Sequence, residues 1–374
     1  MSRTRPDACP GALQLHDGAD GPLARVRLPG GQLTSTQLQR IAESAHELGN
    51  GRIELTSRGN LQLRGVTAPD ELADRLADAG LLPSITHERV RNIVASPLSG
   101  HGGGLIDIRP VVHDLDRALQ STPSLAQLPG RTLFTLDDGR GDASSLGGDV
   151  GLHATSTDEY ALLLAGHDTG VRVAADDAIR TVIDAAEVYG VIRTTQWRLA
   201  EIDSGAERVL AALSLSPTAV PLEFDAVTTP PIGWLPHGDR VSLGAGIRLG
   251  VLDARTAEFL AAVDRPIVVT PWRSIVISDL DEWAAEQVVR VLAPMGLIFD
   301  ENSPWLEVSA CTGSPGCAKA KADVRGDLAE AVAAGELPVA GRQHWVGCER
   351  GCGRPGGDVA DVVATDSGYR VDTD

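Results

Sequence analysis

The sequence predicts an α+β fold built as an internal duplication, and three observations carry that prediction. Residues 20–79 alternate strand-like and helix-like hydrophobic periods in a β-α-β-β-α order, the plan of a ferredoxin-like half. Residues 240–299 repeat the order, with Thr56 and Thr270 as equivalent positions, 214 apart. Further on, Gly148-Asp149-Val150 and Tyr160 match Gly357-Asp358-Val359 and Tyr369 at an offset of 209, each with an Ala-Thr pair before its tyrosine. One such likeness arises by chance, whereas two in the same order at nearly the same offset point to duplication.

The first half opens with a strand at 23–28, a Pro29-Gly30-Gly31 turn and a helix from about Thr34, with Leu38, Ile41, Ala42 and Ala45 on one face. Strands at 53–56 and 61–64 flank Ser57-Arg58-Gly59-Asn60, and a helix at 70–79 carries Leu72, Leu76 and Ala79 at helical spacing. An extra helix is expected at 176–188, and the Pro/Thr-rich stretch at 216–231 reads as a linker. The second half places a helix at 254–262, strands at 267–270 and 274–277, and a helix at 281–292. The expected domains are therefore 1–92, a ferredoxin-like half; 93–225, an α/β domain without the cysteine pairs; 226–302, the second ferredoxin-like half; and 303–374, an α/β domain that carries them.

At 374 residues with 43% hydrophobic content, the chain is long enough for two or three well-buried cores, and no apolar run approaches the length of a bilayer span. A formal charge of -18 argues against phosphate-tracking binding to nucleic acid or an anionic membrane. Lys319 and Lys321 are the only lysines among 33 basic residues, so the positive charge is almost all arginine. Arginine grips carboxylates bidentately, although a biased genome gives the same usage. The N-terminal Met1-Ser2-Arg3-Thr4-Arg5-Pro6 lacks an apolar leader, which reads as cytoplasmic.

Four of the five cysteines fall in two Gly/Pro-rich stretches, Cys311-x5-Cys317 and Cys348-x3-Cys352. Soft sulfur ligands on backbone free to fold around a metal core suit an iron-sulfur cluster. Zinc is the alternative, but its paired ligands usually stand two to four residues apart. A disulfide reading needs an oxidising compartment and leaves Cys9 over, so reduced thiolates are expected, with Cys9 free or packed. Residues 318–334 read as one helix, which would set Cys317 at its positive N-terminal end. At the position of Cys311 the first copy has Ser96-Pro97-Leu98-Ser99-Gly100.

Arg58, Asn60, Gln62 and Arg64 occupy alternate positions and are expected to present four donors on one strand face, suited to a ligand with several carboxylates. Arg91 with Asn92, beside Arg89, forms a second donor group, and Arg131 a third. Solvated surface arginines are the plain alternative for each alone. His101-Gly102-Gly103-Gly104 lacks the residues of a phosphate loop and reads as a loop, while His113, His153, His167 and His344 show no metal-ligand spacing.

These residues resemble the siroheme-dependent sulfite and nitrite reductase superfamily, in which C-x5-C and C-x3-C hold a [4Fe-4S] cluster. Leu55-Thr56-Ser57-Arg58 with Gln62, and Arg91-Asn92, look like the family's macrocycle-contacting segments. The resemblance spans essentially the whole chain and implies nitrite/sulfite-reductase-type 4Fe-4S-binding α/β domains, with the four cysteines as cluster ligands. Within the superfamily the chain is most similar to the precorrin-3B synthases of aerobic cobalamin biosynthesis, on Ala8-Cys9-Pro10-Gly11, Leu28-Pro29-Gly30-Gly31, 56–65, 94–100 and Leu136-Asp137-Asp138-Gly139. Where the reductases use a lysine pair for their inorganic anion, 128–134 contains none. The resemblance therefore implies a monooxygenase converting precorrin-3A with dioxygen, and siroheme-dependent sulfite or nitrite reduction is the alternative. It also implies a mononuclear non-haem iron, for which no two-His-one-carboxylate triad is legible. NADH would be the ultimate donor, through a separate reductase because no nucleotide fingerprint is visible.

Overall fold

The computed structural model describes residue 7 and residues 9–372. The first ferredoxin-like half contains β1 (His16–Gly18), β2 (Gly21–Val26), β3 (Gln32–Leu33), α1 (Ser35–Leu48), β4 (Arg52–Leu55), β5 (Leu61–Arg64) and α2 (Pro69–Asp78). There follow β6 (Ile93–Ala95), α3 (Arg109–Ser121), β7 (Phe134–Asp137), β8 (Val150–Ala154), β9 (Glu159–Leu164), β10 (His167–Ala174), α4 (Ala175–Ile192) and α5 (Gly205–Leu213). The second half comprises β11 (Gly233–His237), β12 (Arg240–Ile247), β13 (Val251–Asp253), α6 (Ala254–Ala261), β14 (Ile267–Val269), β15 (Ser274–Leu280), α7 (Glu282–Leu292) and β16 (Leu297–Ile298). The chain ends with β17 (Val308–Ala310), α8 (Val324–Ala334), β18 (Gln343–Val346), β19 (Ala360–Thr365) and β20 (Gly368–Asp372).

Local chemistry explains where the helices start. Thr34 and Gln37 form a reciprocal capping box ahead of α1, which buries Leu38, Ile41, Ala42 and Ala45. The carboxylate of Asp281 accepts from the Ala284 N–H at the start of α7. One expectation fails here: α8 begins at Val324, seven residues beyond Cys317. Asp323 is the stronger cap and accepts from the Gly326 N–H, while 314–322 is held in turns by Ser314 N–H to Ala322 O and Ala320 N–H to Cys317 O, both 3.0 Å.

The duplication is visible in sheet order. The first half forms β1-β2-β5-β4 and the second β11-β12-β15-β14, and each sheet is completed by a strand from the other half. β3 pairs with β14 through Ile267↔Leu33, and β13 pairs with β4 through Leu252↔Ile53. A single core results, in which Ile41, Ile53 and Leu63 of one copy pack in the same cluster as Leu243, Leu260 and Ile277 of the other. The remaining sheets also correspond. β6, β7 and β8 run parallel, β9 pairs antiparallel with β8 and β10 antiparallel with β9; β17, β18 and β19 run parallel with β20 antiparallel to β19. Among the described residues no helix is long and apolar enough to cross a membrane.

The exchange depends on a close backbone approach. Gly31 has φ 69°, and a Cβ there would sit inside the van der Waals radius of the Val269 carbonyl oxygen on β14. Gly51 has φ 76° with open space around it. Gly51→Ala is expected to cost about 1–2 kcal/mol in urea unfolding from backbone strain alone. Gly31→Ala should cost clearly more, because β3 must also move off β14; equal losses would show that the exchanged strand does not need this contact.

Candidate functional site

Because β17 and β18 are parallel neighbours, with Ala310 opposite Trp345, the segments leaving their C-terminal ends emerge side by side. Cys311 follows β17 directly and Cys348 lies just past β18. Backbone bonds lock the two loops together: Lys321 N–H to Gly347 O at 2.8 Å, and Cys311 N–H to Trp345 O at 2.9 Å. The Gly347 N–H donates to Cys311 Sγ at 3.3 Å, which ties the second loop to the first cysteine. A Cβ on Gly347 would lie 2.6 Å from that of Ala320, so glycine is required where the loops meet. Cys311, Cys317 and Cys348 are half-buried, Cys352 is exposed, and all four are unpaired thiols. Four soft donors on two interlocked loops at one end of a parallel sheet fit the demands of an iron-sulfur cluster. His344 supports the fourth: its Nε2 lies 3.1 Å from Cys352 O, and burial holds its pKa down to about 4, so the ring is neutral at pH 7.

The first cysteine loop is tied to the opposite half through Glu54. This buried carboxylate accepts from Arg64 Nε at 2.9 Å through one oxygen and from Arg325 Nη2 at 3.0 Å through the other. Arg64 continues to Asp20 at 3.2 Å and to Thr312 Oγ1 at 3.1 Å, and Arg325 Nε donates to Cys311 O at 3.1 Å. Burial works against the charge on Glu54, but the two guanidiniums outweigh it and hold its pKa below the ordinary value.

The four donors expected on one strand face, Arg58, Asn60, Gln62 and Arg64, do not present a free face, and the groups at Arg91-Asn92 and Arg131 are engaged elsewhere. Arg58 sits in the tight turn between β4 and β5, and Arg64 is committed to acids and to the cysteine loop. Gln62 accepts from Arg25 Nε at 2.9 Å and donates to Glu54. Asn60 is buried, accepting from the Leu28 N–H at 2.8 Å and donating to Asn92 Oδ1 at 3.2 Å. Asn92 in turn donates to Gly130 O at 2.8 Å, so this pair stitches the first half to its α/β domain. Arg91 makes a bidentate pair with Asp116 at 2.6 and 2.8 Å, and Arg131 stacks 4.8 Å from the Trp197 ring.

Only Arg58 of that set lines the cavity of ≈ 390 Å³ that lies where both halves, the linker and the second cysteine loop meet. Around it stand Arg198, Arg273 and Arg342, the indoles of Trp272 and Trp305, and Pro355 of the cysteine loop. Burial, then the charge of Arg198, pulls the Arg58 pKa down to about 10, as expected of cations gathered faster than acids to pair them. Arg27, buried just past the end of β2, has its pKa lowered to about 10 by burial and Arg25, and its Nη1 has no hydrogen-bond partner among the described residues. Cys9 lies between them, accepting from Arg25 Nη1 at 3.3 Å. Sequence reasoning missed Arg25, Arg27, Arg198, Arg273 and Arg342. The alternation Arg25-Val26-Arg27 on a strand was a usable signal; for the others the sequence carries no local mark. Arg273 has one non-local mark, its equivalence to Gly59. Both occupy the left-handed position of the same turn, at φ 57° and 64°, with Thr270 N–H to Ser274 O and Thr56 N–H to Asn60 O at 2.9 Å. Arg273 Nη2 reaches Gly353 O at 3.0 Å, tying the turn to the second cysteine loop.

At the matching end of the cysteine-free sheet, Ser96 follows β6 as Cys311 follows β17, and a buried acidic group begins at Asp137, the last residue of β7, and continues with Asp138 and Asp142. Asp137 accepts from four backbone N–H groups, of Gly139, Gly141, Ala143 and Ser144, and Asp138 is paired with Arg140. This carboxylate chemistry holds the loop where the other copy holds its cysteines.

Residues 16–78 match the model of the family described as nitrite/sulfite reductase ferredoxin-like half domain. A precorrin-3B synthase from a Sinorhizobium species is 29% identical over 391 residues, covering 99% of this chain and 83% of that protein. A ferredoxin–nitrite reductase from Synechococcus elongatus is 35% identical over 127 residues, 32% of this chain and 25% of that one. The fold is shared with the Mycobacterium tuberculosis NirA protein, at a TM-score of 0.76 and 18% identity over 94% of this chain and 74% of that structure.

Asp142 gives the site region a pH signature. Burial pushes its carboxyl up to about 6 from an ordinary 3.8; the Ser96 hydroxyl, donating at 2.6 Å, opposes the shift and the charge of Asp137 adds to it. A folded pKa above the unfolded value gives stability that is complete below pH 3.8 and lost as pH rises through 6. Asp142→Asn is therefore expected to be more stable than the parent at pH 7, by on the order of 2 kcal/mol, with the gap closing towards pH 4 in urea titrations. A gap independent of pH would assign the effect to packing.

Proposed function

We propose that the chain is a member of the nitrite/sulfite reductase superfamily and an iron-sulfur monooxygenase converting precorrin-3A to precorrin-3B in aerobic cobalamin biosynthesis. The observation that carries this reading is the likeness to precorrin-3B synthase along 99% of the chain, where the likeness to nitrite reductase covers about a third of it. The reaction places one atom of dioxygen at C20 of the macrocycle as a hydroxyl, reduces the other to water with two electrons and two protons, and closes a lactone from the ring-A acetate. A [4Fe-4S] cluster held by Cys311, Cys317, Cys348 and Cys352 supplies one-electron transfer. The electrons originate from NADH and arrive through a separate reductase.

The chain's own residues supply recognition. A precorrin is fringed with acetate and propionate groups, and Arg58, Arg198, Arg273 and Arg342 meet such carboxylates with bidentate donors from several sides of one cavity. Trp272 and Trp305 offer apolar faces to the ring, and burial of Arg58 strengthens its attraction to an anion by excluding water. The absence of lysine from 128–134, where Arg131 is instead stacked on Trp197, supports a macrocycle as substrate over a small inorganic anion.

The local match to nitrite reductase keeps siroheme-dependent sulfite or nitrite reduction as the second reading. Anaerobic purification separates the two through iron, acid-labile sulfide and extractable tetrapyrrole, followed by addition of precorrin-3A, reductant and oxygen. Product formation is the expected result; tightly held siroheme together with sulfite or nitrite turnover would overturn the proposal. Cys348→Ser should lose most labile sulfide, and full retention would remove it from the ligand set. In Arg58→Ala, macrocycle binding should weaken at least tenfold with labile sulfide unchanged, as loss of a buried charge-assisted bond requires; unaltered binding would place the carboxylates elsewhere.

A further inference from the structure

The second copy keeps a corner that the first copy builds from glycine. In the first, the β1–β2 hairpin and the end of β5 bring Gly18, Asp20 and Gly65 against the loop after β17, where a Cβ on Gly316 would lie 3.3 Å from Asp20 Oδ2. In the second, the β11–β12 hairpin and the end of β15 bring His237 and Asp279 against the loop after β6, where a Cβ on Gly102 would lie 3.7 Å from His237 Cβ. Asp279 stands 214 positions after Gly65, and both adopt left-handed backbone, φ 60° and 64°. An aspartate holds that conformation at a cost that glycine does not bear. Pairing of β12 with β15 also shifts register here, passing from Leu243↔Ile277 to Val241↔Leu280, so a bulge sets the direction of the Asp279 side chain.

The ligand atoms of His101, His237 and Asp279 all lie within 4.8 Å of one another. His101 Nδ1 is 3.6 Å from Asp279 Oδ1, and the two imidazoles stand edge to face at 5.0 Å. His237 Nδ1 lies 3.4 Å from Leu235 O, a partner that can only accept; the proton therefore sits on Nδ1 and leaves the lone pair on Nε2. That Nε2 is buried without a hydrogen-bond partner among the described residues, as the open nitrogen of a metal ligand oriented through its other nitrogen would be. On the far side of His101, Arg109 Nη1, itself held by Asp107, donates to Nε2 at 3.5 Å, so the ring proton lies on Nδ1 facing Asp279 and a metal ion bound there displaces it. His101 and Ser278 also line a second cavity of ≈ 820 Å³, which gives a bound ion access to solvent and small molecules.

We propose that His101, His237 and Asp279 form a mononuclear divalent transition-metal site of two imidazoles and one carboxylate, assembled across the two copies. The donor set leaves coordination positions open and suits Fe(II), with Mn(II), Co(II) and Zn(II) as competitors. It is where the mononuclear iron implied by the resemblance would be held, and it stands on geometry that does not require the precorrin reading.

The test is equilibrium dialysis of the cluster-loaded protein against Co(II), with cobalt and labile sulfide counted per chain. The parent should retain one cobalt beyond its cluster iron. His237→Ala and Asp279→Asn should raise the dissociation constant at least tenfold with labile sulfide unchanged. Asparagine tolerates the left-handed backbone at 279, so that variant keeps the fold if the alanine variant does not. A parent that retains no cobalt, or an Asp279→Asn protein that binds it as the parent does, overturns the proposal. Missing labile sulfide in the parent would instead count against the cluster reading alone.

Discussion

The reciprocal loan of β3 and β13 is the constraint on which the rest of the molecule depends. Each half needs a strand from the other to finish its sheet, so neither can bury its apolar face alone, and the two copies share one core. Docking two finished domains leaves an interface that can slide; exchanging strands fixes register through backbone hydrogen bonds. The arginine-lined cavity and the His-His-Asp corner both draw residues from both copies. Their geometry is therefore set by the exchange and not by any one domain.

Glu54 shows how that rigidity reaches the cysteine loop. It lies on β4, the strand that receives β13, and its two oxygens hold Arg64 and Arg325, which grip Thr312 and the carbonyl of Cys311. A buried ionic triad of this kind is a poor source of net stability, because desolvation offsets most of the attraction. Its value lies in direction. Two guanidiniums fixed by one carboxylate present their remaining donors at defined positions, and those donors meet the loop at the carbonyl of its first cysteine and at the side chain of the next residue. The Cys311 backbone is thus positioned by a strand more than 250 residues away in sequence.

What the sequence made legible was whatever repeats or clusters locally. The helix periods, the Thr56/Thr270 equivalence and the two cysteine pairs each lie within a short window, and the sheet order repeats as the offsets suggested. The donor face at 58–64 was misread because alternation says which residues share a face but not what stands opposite. Glu54 and Asp20 arrive from neighbouring elements and occupy Arg64, while the turn lifts Arg58 away from Asn60 and Gln62. The span of the 318–334 helix was overestimated because propensity alone cannot weigh Asp323 as a cap against loop bonds such as Lys321 N–H to Gly347 O. His101, His237 and Asp279 were invisible for a plainer reason: no spacing relates them until the sheets are assembled.

The two copies differ most where they are most alike in backbone. The turn after β4 has Gly59 at its left-handed position and its counterpart has Arg273; the end of β5 has Gly65 and its counterpart Asp279. Glycine is the unstrained choice at both, and at Gly59 a Cβ would crowd the Val269 carbonyl at 2.8 Å. The second copy carries a side chain at each point despite the strain. Arg273 uses it to line the cavity and hold Gly353 of a cysteine loop, and Asp279 uses it to meet His101. Strain kept in one copy and absent from the other, at two positions facing other domains, is what specialisation of a duplicated fold leaves behind. The chemistry was added at turns whose backbone was already fixed, without disturbing the strands that hold the halves together.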